Sequence, residues 1–282
     1  MRIPPAILTL LAGMALVLTG LWVGQNVNLL PVDASANAPV YDELFKVLFS
    51  IGTILLLGIV GLLVYSLVRF RRRTGELGDG LAIEGNLPLE ILWTAIPAVV
   101  VLFVGIYSYD IYDRMGGMTP LNDHSMHAMT AEPTMAPQER TWGGISPVSM
   151  TGDDAIAPLP IDVTAMQFAF IFHYPDSDIT TGELHVPVGQ PVALQMKALD
   201  VIHAFWVPQF RLKQDVIPGQ PTLLSFTPTR TGQYPIVCAE LCGPYHGGMR
   251  STVIVEEPET FADWVARNSP AAPAPAATPV QS

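Results

Sequence analysis

Cys238-Ala239-Glu240-Leu241-Cys242-Gly243-Pro244-Tyr245-His246-Gly247-Gly248-Met249 holds both cysteines of this 282-residue chain, with a histidine and a methionine beside them. Sulfur donors combined with imidazole favour copper, zinc or iron–sulfur over hard cations. A disulfide or a redox dithiol has no need of the neighbouring His or Met. A structural zinc site takes four Cys or His ligands and leaves Met249 without a task. Thiolate, imidazole and thioether together point to copper in an electron-transfer role. A mononuclear blue-copper site uses one cysteine, whereas this loop offers two thiolates able to bridge. With a second histidine from elsewhere, the donors suit two copper ions sharing both sulfurs.

That histidine has a candidate in Leu199-Asp200-Val201-Ile202-His203-Ala204-Phe205-Trp206-Val207-Pro208. The pattern Cys-x-Glu-x-Cys-Gly-x-x-His-x-x-Met, preceded by Asp-Val-x-His-x-Phe-x-x-Pro, resembles the binuclear copper (Cu-A) centre of the cytochrome c oxidase subunit 2 family, and the cyanobacterial form most closely. The resemblance implies that Cys238 and Cys242 bridge two copper ions, that His203 and His246 cap one each, and that Met249 is a distant axial donor. It further implies that the backbone carbonyl of Glu240 completes the copper sphere, while its carboxylate helps to bind a magnesium ion shared with the catalytic subunit.

Composition agrees with a membrane-anchored domain. Half of the residues are apolar and only 14 % are charged. The net charge of −11 disfavours nucleic acid as a partner. Both cysteines belong to one local motif, which leaves none for a disulfide scaffold.

Residues 1–38 begin with Arg2 and continue as an uncharged run to Pro31, with Ala34-Ser35-Ala36-Asn37-Ala38 beyond. This fits a cleaved signal peptide or an additional transmembrane helix. Within residues 39–114, Val47 to Val68 and Ile91 to Tyr109 are uncharged and long enough to span a bilayer. Arg69, Arg71, Arg72 and Arg73 fix the intervening short loop as cytoplasmic. The two spans form a hairpin, and everything after Asp110 lies outside the cytoplasm. Pro97 falls inside the second span without preventing it.

Glu90, in Leu89-Glu90-Ile91-Leu92-Trp93-Thr94-Ala95-Ile96-Pro97, reads as an interfacial carboxylate with Trp93 as aromatic anchor. The resemblance adds a second role, the entrance of a proton path into the catalytic subunit. Residues 115–160 read as a flexible linker rich in Met, Pro and Gly. Its His124, Met126, His127 and Met129 have a transient copper-binding reading beside that of a biased connector.

From Ile161 short apolar stretches alternate with turns: Ile161–Tyr174, Gly182–Val188, Pro191–Leu199, Pro221–Thr227 and Arg250–Val255. Val192, Leu194 and Met196 alternate with Ala193, Gln195 and Lys197, the period of a half-buried strand. The expectation for 161–257 is an all-β sandwich, of cupredoxin-like Greek-key form, attached to the N-terminal transmembrane α-helical hairpin. Residues 258–282 carry a short helix, Phe261 to Arg267, and a disordered Pro/Ala-rich tail.

The aromatic run Gln167–Pro175 reads as a strand with alternating rings. The family pattern usually has Gln-Trp at its start, and that tryptophan is its proposed donor contact for electrons. Phe168 stands there in this chain, able to supply an apolar contact. Asp200 and Asp215 are either solvated carboxylates or a docking surface for a basic donor, although Lys213 and Gln214 interrupt any acidic patch. His173, His185 and Trp264 carry no strong functional reading.

The function implied is the electron-accepting subunit of a haem–copper terminal oxidase. Electrons would come from a soluble c-type cytochrome or plastocyanin. They would pass to haem in subunit 1, which reduces dioxygen to water and pumps protons; this chain has no acid–base constellation of its own. The complex would lie in the plasma or thylakoid membrane, with the copper domain on the periplasmic or lumenal side. Other readings are a copper chaperone or thiol reductase, opposed by Met249 and the Asp200–Pro208 stretch, and a quinol oxidase subunit, opposed by the full ligand set. A soluble nitrous oxide reductase lacks this hairpin, and a purely structural membrane adaptor would bind no copper.

Overall fold

The computed structural model describes residues 4–72, 74–75, 78, 85–115, 142–143 and 157–270. Most of the 115–160 connector, its His124, Met126, His127 and Met129, and the tail beyond Pro270 lie outside the described residues. The chain divides into two compact units: Met1–Leu30 with Val40–Ile111, and Pro31–Pro39 with Tyr112–Ser282.

The first unit is helical, with α1 (Pro5–Asn26), α2 (Ala38–Arg69) and α3 (Leu87–Arg114). Each is long and apolar enough to cross a membrane. Hydrocarbon offers no partners for peptide groups, so an apolar run of this length satisfies its N–H and C=O groups internally as a helix. Leu62, Val68, Val101 and Ile106 are exposed on α2 and α3, as lipid-facing side chains should be. Gly20 and Gly24, one turn apart on α1, are buried. A Cβ at Gly20 would collide with Ile54, and one at Gly24 with Ser50, so the missing side chains let α1 and α2 pack closely. The start of α3 is capped reciprocally: Asn86 Oδ1 accepts the Leu89 N–H at 3.2 Å, and Glu90 Oε1 accepts the Asn86 N–H at 3.1 Å. Glu90 therefore has a local structural task. Pro97 sits within α3.

The second unit is a β-sandwich. Its strands are β1 (Trp142–Gly143), β2 (Leu159–Met166), β3 (Ala169–Tyr174), β4 (Ile179–Thr181), β5 (Leu184–Pro187), β6 (Val192–Ala198), β7 (His203–Val207), β8 (Leu212–Val216), β9 (Thr222–Phe226), β10 (Gly232–Cys238) and β11 (Arg250–Glu256). One sheet has the order β1-β9-β6-β2-β3-β4, the other β5-β11-β10-β7-β8. The antiparallel neighbours β6–β9 and β7–β10 are separated in sequence by two strands of the opposite or same sheet, the crossover of a Greek key. The cupredoxin-like expectation holds.

Alternation explains the layering. Phe170, Phe172 and Tyr174 of β3 point inward, as do Val192, Leu194 and Met196 of β6, while Gln195 and Lys197 face water. Phe170 meets Phe205 of the opposite sheet edge-on, with ring centroids 6.0 Å apart. This contact anchors β7, whose first residue is His203. The helix α4 (Pro258–Asn268) is longer than the expected Phe261–Arg267. Trp264 stacks on His185 at 4.2 Å, which gives both residues a packing role.

The structure departs from sequence expectation at further points. The stretch Ile161–Tyr174 is a hairpin, β2 and β3 in antiparallel register, with Gln167 and Phe168 in its turn. Strands β7, β8 and β10 carry weak alternation and were hidden by the metal motif and by Pro235. That proline lies where β10 has β11 on one side only, since β7 pairs with just Val237 and Cys238; there a missing N–H is tolerated. Finally, Pro31–Pro39 groups with the sandwich.

Phe172 is fully buried. Phe172→Ala should destabilise the sandwich by about 3–5 kcal/mol, and Gln195→Ala by no more than about 0.5 kcal/mol. Denaturant unfolding followed by Trp fluorescence checks both.

Candidate metal centre

The centre lies where β7 begins and β10 ends. Cys238 pairs in register with Phe205, two residues beyond His203, so the two strands bring thiol and imidazole together. The loop after β10 then turns back: Cys238 N–H donates to the Met249 carbonyl at 3.1 Å, and Met249 N–H donates to the His246 carbonyl at 3.1 Å. Those bonds close the loop and bring Cys242, His246 and Met249 back to Cys238.

The donor atoms form two sulfur–imidazole pairs. Cys238 Sγ lies 3.9 Å from His203 Nδ1, and Cys242 Sγ lies 3.6 Å from His246 Nδ1. The two sulfurs are 3.8 Å apart, and both thiols are free. Met249 Sδ is 3.8 Å from Cys242 Sγ, and the Glu240 carbonyl is 3.4 Å from Cys238 Sγ. For a tetrahedral first-row ion, bond lengths near 2.3 Å to sulfur and 2.0–2.1 Å to nitrogen separate donors by about 3.6–3.8 Å. The observed sulfur–sulfur and sulfur–imidazole separations lie close to that range, so these donors can close around a first-row metal ion. His203, Cys238 and Cys242 form a close group able to hold a metal ion, and His246 lies beside Cys242. The donor set can bind copper.

Burial makes the pocket responsive to a cation. His203 and Met249 have no exposed surface, and both cysteines are 3 % exposed. Desolvation pushes the Cys242 thiol up to about 11, and the adjacent Cys238 adds to the rise. A bound cation reverses that balance and favours thiolate.

Asp200 is partly exposed and at the same time hydrogen-bonded into the site. Its Oδ1 accepts from His203 Nε2 at 2.8 Å and from Val201 N–H at 2.7 Å. Its Oδ2 accepts the Gln167 N–H at 2.7 Å. Partial desolvation raises its pKa, but the hydrogen bonds from His203, Gln167 and Val201 outweigh that and hold it down to about 2. With the proton on Nε2, His203 presents an unprotonated Nδ1 toward the sulfurs. Gln167 continues the network, donating from Nε2 to the Cys242 carbonyl at 2.6 Å. Three loops are thus tied together by Asp200 and Gln167. The i, i+3 spacing of Asp200 and His203 was the available sequence signal for this contact; nothing local pointed to Gln167.

Gly243 adopts φ +137°, and a Cβ there would press on Gln167 Nε2 at 2.8 Å and the Phe168 ring at 3.2 Å. Only glycine combines that backbone conformation with the close approach. Phe168 lies against the loop and meets Tyr245 edge-on, centroids 5.4 Å apart. Tyr245 and Leu241 are 71 % and 83 % exposed. The carboxylate of Glu240 points away from the sulfurs: its Oε1 accepts from Lys213 Nζ at 2.9 Å, and Lys213 also donates to Asp215 Oδ1 at 2.9 Å. Hydrogen bonds to Asp215 and then Glu240 raise the Lys213 pKa. Asp215 is therefore compensated locally.

Comparison with known proteins matches residues 20–111 to the family described as cytochrome c oxidase subunit II, transmembrane domain, and residues 176–257 to its periplasmic domain. The cytochrome c oxidase subunit 2 of Thermostichus vulcanus is 50% identical over 97% of this chain and 89% of its own length. That of Synechocystis sp. is 46% identical over 96% of this chain and 85% of its own. Among solved structures, the periplasmic domain of subunit II of cytochrome oxidase of Bradyrhizobium japonicum is 32% identical, covers 40% of this chain and 94% of its own, and has a TM-score of 0.38. With sulfur–imidazole donors in a β-sandwich, apolar helices before it, and both family domains matched in order, this chain belongs to the cytochrome c oxidase subunit 2 family.

Proposed function

We propose that Cys238 and Cys242 bridge two copper ions, that His203 and His246 each cap one through Nδ1, and that Met249 and the Glu240 carbonyl supply the remaining weak donors. As a subunit 2 of a haem–copper oxidase, the chain is an integral membrane protein with its copper domain on the outer side. The observation that carries the proposal is the pairing of each sulfur with its own imidazole, 3.9 and 3.6 Å away, across a shared 3.8 Å sulfur pair. A copper pair of this kind supplies a one-electron carrier whose geometry changes little between oxidation states. The residues provide the rigidity: Asp200 orients His203, Gln167 holds the Cys242 carbonyl, and burial excludes water.

Electrons arrive from a soluble c-type cytochrome or plastocyanin and leave for haem in subunit 1, in a plasma or thylakoid membrane. Leu241, Tyr245, Leu199 and Ile202 are exposed on the loops that bear the ligands, so apolar contact is available to partners there. Phe168, beneath Tyr245, supports an aromatic donor contact in place of tryptophan. Glu240 faces outward with Lys213, so a magnesium ion shared with subunit 1 would displace that ammonium from the carboxylate. Glu90, at the start of α3, is the proposed entrance of the proton path.

Cys242→Ser in the purified oxidase should abolish donor oxidation while leaving the haem spectrum of subunit 1 intact; retained oxidation would contradict the bridging role. Asp200→Ala should weaken copper binding roughly 10–100-fold, since His203 loses the group that fixes its tautomer; competition with a copper chelator reads this directly. Glu240→Ala should keep the copper absorption spectrum and lose the bound magnesium, measured by elemental analysis of the complex.

A further inference from the structure

Residues 31–38, between α1 and α2, are built into the β-sandwich. Ala34 belongs to its core and has no exposed surface. Ala34 N–H donates to the Gln209 carbonyl, Ala36 N–H to Thr227, and Thr229 N–H returns a bond to the Ala34 carbonyl, all at 3.0 Å. Ser35 Oγ donates to the Phe210 carbonyl at 2.8 Å, and Arg211 Nη2 to the Pro31 carbonyl at 2.7 Å. Ser35 also bridges Pro228 in the manner of an antiparallel strand. The segment thus joins the turn after β7 to the corner between β9 and β10. Phe210, whose carbonyl Ser35 holds, packs against Phe226 and Tyr234.

A leader peptide leaves through a small-x-small site just beyond its apolar run. Between Gly24 and Pro39 the pairs of that form are Ala34/Ala36 and Ala36/Ala38. Cleavage after either would remove Ala34, Ser35 and Ala36. The carbonyls of Gln209, Phe210 and Thr227 and the amide of Thr229 would then lose these partners; Phe210 is fully buried, and a buried peptide group is costly to leave unpaired. On the other side of the segment, α1 is packed on α2 through Gly20 and Gly24, close contacts that a passing leader does not need.

We infer that α1 is retained as a third membrane span, and that Pro31–Ala38 is a permanent strap of the copper domain with a helix at each end. The test is the intact mass and N-terminal sequence of this subunit in the oxidase purified from membranes, together with hydrogen exchange on the same complex. The expected N-terminus lies before Pro5, and the amides of Ala34, Ala36 and Thr229 exchange as slowly as those of β9. An N-terminus anywhere beyond Pro5 overturns the retention of α1. Rapid exchange at these three amides overturns the strap.

Discussion

Two buried sulfurs held 3.8 Å apart are the constraint around which the copper domain is arranged. Neutral thiols tolerate that distance; two thiolates in a desolvated pocket repel, which is why burial and the neighbouring thiol push Cys242 up to about 11. A multivalent cation resolves the conflict by favouring the deprotonated form, so loading the site is coupled to proton release. The surrounding structure keeps the spacing fixed. Strand pairing places Cys238 beside β7, the Phe170–Phe205 contact anchors that strand to the core, and Gly243 leaves room for Gln167 to hold the second cysteine's carbonyl.

Charge is managed with the same economy. The carboxylate nearest the buried imidazole, Asp200, spends its acceptor sites on His203 and on the backbone of two loops. The two acids further out, Glu240 and Asp215, share Lys213. What remains exposed on the ligand loops includes Leu241, Tyr245, Leu199 and Ile202. Contacts of this kind are apolar and weakly sensitive to salt, in contrast to steering by a uniformly acidic face.

The candidate donors were legible in the sequence because sulfur, imidazole and thioether at short spacing have few other uses, and the fold brings His203 from a second motif to Cys238. The membrane spans were legible because an uncharged run of that length has one stable conformation in lipid. Strands β3 and β6 announced themselves by alternation. Strand β10 did not, because Pro235 argues against a strand wherever its one-sided pairing is unknown. The roles of Asp200 and Gln167 depend on which loops the fold brings together, contacts 33 and 75 residues apart in the chain for Gln167. The strap at Pro31–Pro39 was hidden for a related reason: small residues after an apolar run look like a processing signal until their hydrogen-bond partners, some 175 residues later, are seen.

The central claim is that both cysteines serve two metal ions together. Copper counted per chain in the purified oxidase, with electron spin resonance of the oxidised state, tests it most directly. Two coppers per subunit 2, with one unpaired electron divided equally between both nuclei in the hyperfine pattern, is the predicted result. A single copper per chain, or a signal confined to one nucleus, would contradict it.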